Sequence, residues 1–223
     1  MASEPLSYVS YLKINELLAL QEPKSDGPEH DELLFIVIHQ TYELWFKQIL
    51  HELDRARRLL REGSLHPALG TLRRVRTIMK TLVGQVDILE TMTPLEFNAF
   101  RARLESSSGF QSYQFREFEA VFARPGIWDD VVALLGAHGC LVSADIEESL
   151  LSVYRTRPDV SLLLEELVDI DEGLQEWRYR HVKMVERTIG NSRGTGGSSG
   201  AGYLKSTLFN PVFPELWAIR SRF

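Results

Sequence analysis

Apolar residues recur at helical spacing along nearly the whole chain, and no stretch alternates as a half-buried strand would. Over 7–21, Tyr8, Tyr11, Leu12, Leu17 and Leu18 predict a first helix, and Glu22 to Pro28 reads as a loop. A long helix is predicted from about Asp31 to Glu62. Its first half, Leu33 to Ile38, is apolar almost all round, so burial on most sides is expected. Its second half is amphipathic, with Arg55, Arg57, Arg58 and Arg61 on the wet face and Gly63-Ser64 as the stop. Another helix, over about 66–91, carries Leu72, Val75, Met79, Leu82 and Val86 in register. Thr93-Pro94-Leu95-Glu96 is a helix start, because threonine caps, proline takes the first helical position and glutamate closes the capping box. Phe97 and Arg101 then share one face. Ser106 to Gly109 breaks that helix, and a short one follows from about Ser112 to Phe122. Pro125-Gly126, Gly136, Gly139 and Pro158 cut 125–158 into short helices. Asp159 is expected to cap a helix reaching Ile189, with Leu163, Leu167, Ile170, Leu174, Trp177, His181 and Val185 facing inward and Gly190 ending it. Short helices are expected over 203–209 and 213–220. The pattern predicts an all-α fold, a single-domain bundle of long antiparallel helices.

Composition narrows the classes. The formal charge of −6 gives no reason to expect nucleic acid or an acidic membrane surface as a partner. A lone cysteine, Cys140, excludes an internal disulfide framework and fits a reducing cytoplasm. No apolar run approaches the roughly 20 residues that span a bilayer, and Met1 to Pro5 lacks a signal-peptide profile.

Three features stand out against this ordinary background. His39 lies in the most apolar helix, flanked by Phe35 and Tyr42, and His181 lies on the inward stripe of the last long helix. Gly194 to Gly202 packs five glycines into nine residues, with Thr195, Ser198 and Ser199 adding hydroxyls. That loop cannot be a helix interior, and it lets backbone approach a ligand. A histidine on an apolar helix face is more often a satisfied core residue than a ligand. Two of them beside a polar glycine loop point to a buried cofactor with a mobile lid over 191–202. Neither histidine sits in a Glu-x-x-His motif, so a di-iron carboxylate site is set aside. One cysteine excludes a His2Cys2 zinc site. A haem held by a single proximal histidine is chemically reasonable. The glycine loop lacks both the preceding strand and the Lys-Ser/Thr ending of a phosphate-binding loop. Arg101 is either a solvated side chain or a bidentate clamp for a carboxylate.

Four separated motifs resemble the tryptophan 2,3-dioxygenase family, in the same order. They are His30 to Trp45 (HDELLFIVIHQTYELW), Ser107 to Ser112 (SSGFQS), Gly194 to Gly200 (GTGGSSG, followed by Tyr203-Leu204), and Phe213 to Trp217 (FPELW). The resemblance covers about residues 7–122 and 160–223. It implies a b-type haem enzyme that inserts both atoms of O2 across the indole C2–C3 bond of L-tryptophan, giving N-formylkynurenine. It further implies His181 as the proximal haem ligand and His39 as the distal catalytic histidine that hydrogen-bonds the indole N–H. Phe35 and Phe97 would line the substrate, Arg101 would pair with its carboxylate, and Thr195 would bind its amino-acid end. Ser108, Gly109 and Trp45 would lie against the haem. Tyr8, Tyr11 and Leu12 match a segment, within residues 1–21, that reaches into a neighbouring subunit's pocket, which implies a homotetramer built as a dimer of dimers. Two departures are visible. Phe97 stands where the family usually has tyrosine, and the chain is several dozen residues short between Phe122 and Asp159. They leave open a paralogue that oxidises a substituted tryptophan or an oxindole, inserting one oxygen atom. A haem sensor without turnover is the remaining alternative, and the joint presence of Arg101, His39 and Thr195 argues against it.

Overall fold

The computed structural model describes residues 5–27, 29–190, 192, 194–195 and 201–223. Among them the chain is all-α, with no strand. Three long helices make the frame: α3 (His30–Arg61), α4 (Leu65–Leu89) and α9 (Pro158–Ile189). Around them lie α1 (Tyr8–Leu12), α2 (Ile14–Leu18), α5 (Pro94–Arg101), α6 (Tyr113–Phe122), α7 (Ile127–Ala137), α8 (Ile146–Thr156), α10 (Ala201–Lys205) and α11 (Pro214–Ala218).

Cross-helix bonds fix the directions. Glu52 pairs with Arg74 at 3.0 Å, and Tyr42 bonds to the Leu82 carbonyl at 2.6 Å, so α3 and α4 run antiparallel. Arg76 pairs with Glu166 at 2.5 Å, and Arg180 pairs with Asp87, so α9 runs parallel to α4. The helix α4 packs extensively on both α3 and α9, whereas α3 and α9 have little direct backbone contact. The gap between α3 and α9 over α4, here the slot, is bridged in part by Tyr42 of α3 and Trp177 of α9.

Two apolar clusters meet at this slot. The larger is built from Ile49, Leu53, Leu60, Leu72, Val75, Leu163, Leu167 and their neighbours, all buried. It includes α7 and α8, because Ile127, Val131, Leu134, Leu135 and Leu150 are fully buried. The smaller joins Ile38, Leu89, Met92, Phe97 and Phe100. Tyr42 packs against both.

Several expectations are corrected. The first helix is two short ones, broken at Lys13, whose φ of 55° is left-handed. The last long helix starts at Pro158, so Asp159 sits in its first turn, paired with Arg157, rather than capping it. The helix expected over 203–209 spans 201–205 instead, and the one expected over 213–220 ends at Ala218 in a short 3-10 turn. The first half of α3 is not buried on most sides: Leu33 is 47% and Val37 38% exposed. Among the described residues no element covers that face. The capping box at Thr93 and the stop at Gly190 (φ 59°) form as predicted. No helix among the described residues is long and apolar enough to cross a membrane.

Candidate active site

His39 is placed by the apolar register of α3. Ile38 beside it is buried in the smaller cluster, while His39 itself is exposed. Phe35, one turn earlier, packs on the imidazole with ring centroids 4.0 Å apart. The ring is reached by solvent from the slot, yet protein hems it in, and this desolvation lowers its pKa. The Phe35 carbonyl and Glu43 oppose that shift without reversing it. Nδ1 lies 2.7 Å from the Phe35 carbonyl oxygen. A carbonyl only accepts, so the neutral ring carries its proton on Nδ1 and presents Nε2 as an acceptor. One face of the slot therefore offers a fixed acceptor for an N–H.

His181 faces it from α9. Desolvation lowers its pKa to about 4, and the charge of His39 adds to the shift. Tyr42, three residues after His39, meets Trp177, which stacks on His181, so the two histidines lie on neighbouring stretches of α3 and α9. The indole of Trp177 stacks on the His181 ring at 5.2 Å and 14°. A neutral imidazole is a metal ligand with its lone pair available. Among the described residues no three His, Cys, Asp or Glu side chains gather to hold a metal ion.

The polar end is built by α5. Phe97 is buried against Phe35 and Phe100, with centroids 6.0 and 5.5 Å away. Arg101 lies one turn on, half-buried, with Cζ 5.9 Å from the Phe97 ring centroid. Phe97 thus gives the guanidinium an aromatic face and no hydroxyl. Arg103 turns away, pairing with Asp26 at 2.6 Å. The strap 24–26 is pinned in turn by buried Glu32, which accepts from the Lys24 and Ser25 amides at 2.6 and 3.0 Å.

The remaining predicted residues divide. Ser108 is half-buried and accepts from the Phe110 amide at 3.4 Å, capping a 3-10 turn that leaves Gly109 exposed. Trp45 packs against the larger cluster. Thr195 is half-buried. The core of the glycine loop, 196–200, together with 191 and 193, lies outside the described residues. Tyr8 and Tyr11 are 74% and 71% exposed and Leu12 is also exposed, so they do not enter this chain's own slot. Trp177 and Tyr42 received no role from the sequence. Their spacing, four residues before His181 and three after His39, was the available signal.

The sequence model of tryptophan 2,3-dioxygenase matches residues 1–124 and 142–223. The chain belongs to the tryptophan 2,3-dioxygenase family. It is 53% identical to the tryptophan 2,3-dioxygenase of Herpetosiphon aurantiacus, over 98% of this chain and 99% of that protein. It is 49% identical to that of an Anaeromyxobacter species, over 98% and 96%, and 40% identical to that of Caulobacter vibrioides, over 99% of each. The alignment to the Herpetosiphon protein runs over 258 positions for this chain of 223, so that family member carries several dozen residues absent here. The unmatched stretch, 125–141, is α7 with its flanking turns. It is remote from His39, Arg101 and His181 in sequence, and α7 packs on the far end of α3, where Asp130 pairs with Arg57 and Arg61.

Proposed function

We propose that the chain is a haem-dependent dioxygenase that cleaves the indole C2–C3 bond of L-tryptophan with O2, giving N-formylkynurenine. What supports this reading is the pair of histidines on neighbouring stretches of α3 and α9, both with pKa lowered by desolvation, in a chain whose relatives bear the name of that reaction. Bound b-type haem would supply the capture and activation of O2, which no side chain here provides.

The chain's own residues hold and orient. His181 is the proximal ligand, because its lone pair is not taken up by a proton. His39 Nε2 accepts the indole N–H, and Phe35 packs on the indole. Arg101 takes the substrate carboxylate through its planar fork, supported by the Phe97 face. Thr195 binds the amino-acid end as the glycine loop closes. Fixing both ends of the substrate sets C2 and C3 in one place. Ser108, Gly109 and Trp45 would help to hold the haem. Tyr8, Tyr11 and Leu12 complete a neighbouring subunit's pocket in a homotetramer. Their exposure on α1 supports that role. Buried, unpaired Cys140 supports a cytoplasmic setting.

Two measurements test the reading. The ferrous protein should show a Soret band that shifts on adding L-tryptophan, and turnover in labelled O2 should place two labelled atoms in the product. A sample that stays colourless after reconstitution with hemin removes the cofactor assignment. One retained label on an intact ring removes the dioxygenase assignment in favour of mono-oxygenation.

A further inference from the structure

Trp177 lies one turn before His181 on α9, and its indole covers the imidazole almost in parallel. Tyr42 meets that indole edge-on at 6.4 Å, and Phe115 of α6 touches it at 5.4 Å. Tyr42 is itself anchored: its hydroxyl donates to the Leu82 carbonyl at 2.6 Å. The stack on His181 therefore stands, through Tyr42, on the main chain of α4.

Trp177 Nε1 is buried and reaches no acceptor in hydrogen-bond geometry among the described residues. Buried indole N–H groups normally find a partner. The Tyr42 phenol oxygen belongs to the ring that stands edge-on to this indole. That oxygen has spent its own hydrogen on Leu82 and keeps lone pairs to accept with.

We propose that Trp177, braced by Tyr42, is the positioning residue for His181: the stacked indole sets the rotation of the imidazole, and its N–H and the Tyr42 oxygen act as one pair. The inference rests on the reading of His181 as the haem ligand. A ligating imidazole is usually oriented by a hydrogen bond from its second nitrogen. Here the orienting contact is an aromatic face.

The test uses the haem-loaded ferrous protein and four variants: Trp177→Leu, Trp177→Phe, Tyr42→Phe and the double variant Trp177→Phe/Tyr42→Phe. The readouts are the iron–histidine stretching band in resonance Raman and the rate of haem release to an excess of an acceptor globin. Trp177→Leu should shift and broaden the band and speed release about tenfold, the scale an aromatic contact of this kind supports. Trp177→Phe keeps a stacking ring and should move both readouts less. Tyr42→Phe should match it, and the double variant should go no further than either single change. The two phenylalanine variants preserve packing, so they decide the matter if Trp177→Leu does not fold. Band and release rate unchanged in every Trp177 variant would overturn the positioning role while leaving the haem reading intact. Strictly additive effects in the double variant would overturn the pairing of Trp177 with Tyr42. A wild-type protein that takes up no haem overturns the haem reading, and this inference with it.

Discussion

The tautomer of His39 follows from a single contact. Because the Phe35 carbonyl holds the Nδ1 proton, the opposite nitrogen can only accept. The preference this creates is measurable. His39→Leu should cut kcat/KM for L-tryptophan about three- to tenfold, the worth of one neutral hydrogen bond. It should also erase the advantage of L-tryptophan over its N1-methyl analogue, so steady-state kinetics on both substrates checks it. Equal losses on both substrates would place His39 elsewhere in the reaction. Arg101 makes a second, independent prediction. It is half-buried, so the low end of the range for a desolvated ion pair applies. Arg101→Leu should cost about 2 kcal/mol in kcat/KM for L-tryptophan, roughly thirtyfold. Tryptamine, which lacks the carboxylate, should not respond. Arg101→Lys should recover little, because an ammonium has no planar fork. Both residues were legible in the sequence, as polar side chains set at helical spacing among aromatics. What the sequence withheld was the proton position on His39, which depends on a backbone carbonyl one turn away.

The helices were legible wherever capping chemistry or a clean apolar stripe marked them, as at Thr93 and Gly190. They were misread where a tertiary contact decides the boundary. Asp159 has the chemistry of a cap, but Arg157 claims its carboxylate, and Pro158 opens the helix instead. The attachment of the C-terminal segment was likewise invisible, because its anchor is a buried carboxylate in mid-helix. Asp171 is fully buried on α9 and accepts from the Val212 and Phe213 amides at 3.0 Å, Trp217 Nε1 at 2.9 Å and Gln175 Nε2 at 2.9 Å. Asp171→Ala strands these donors and should lower stability by about 3–5 kcal/mol in urea unfolding. A loss below about 1 kcal/mol would mean that water reaches the segment. A weaker tie holds α10 to α9. Lys205 and Lys183 bond to Glu186 and lower its pKa to about 2. A carboxylate depressed in the folded state stabilises it fully above the unfolded value of about 4.3, and that contribution disappears as pH falls through the folded value. Wild type should therefore exceed Glu186→Gln in stability near neutral pH, with the gap closing between about pH 4 and pH 2. The gap should also shrink in high salt, because the pair is at the surface.

At the scale of the molecule, binary patterning located the larger core correctly, yet it predicted burial for a face of α3 that the described residues leave open. The first half of α3 carries apolar residues on its exposed side as well as its buried one. Leu33, Val37 and Leu44 remain exposed there, and Leu6, Tyr8, Val9, Tyr11 and Leu12 are exposed on and before α1. Scattered surface apolar residues are ordinary, but a first helix that buries none of its residues needs another reason to carry two tyrosines and a leucine. The helices α1 and α2 pack chiefly on each other, and the segment meets α3 through Gln21 and the Leu20 carbonyl, which both bond to Gln40. Removing residues 1–18 therefore spares those bonds and every buried residue of the frame. If the segment completes a neighbour's pocket, the truncated chain should keep its helix content and its haem. Its kcat/KM for L-tryptophan should fall about tenfold or more, as expected when anchors worth over about 1 kcal/mol each are lost from an interface. Sedimentation separates the two parts of the claim. A truncated chain that stays tetrameric but works poorly keeps the pocket role and moves the assembly contacts to α3. A truncated chain with full activity shows that the slot is complete within one subunit, and then the exposed tyrosines serve assembly alone.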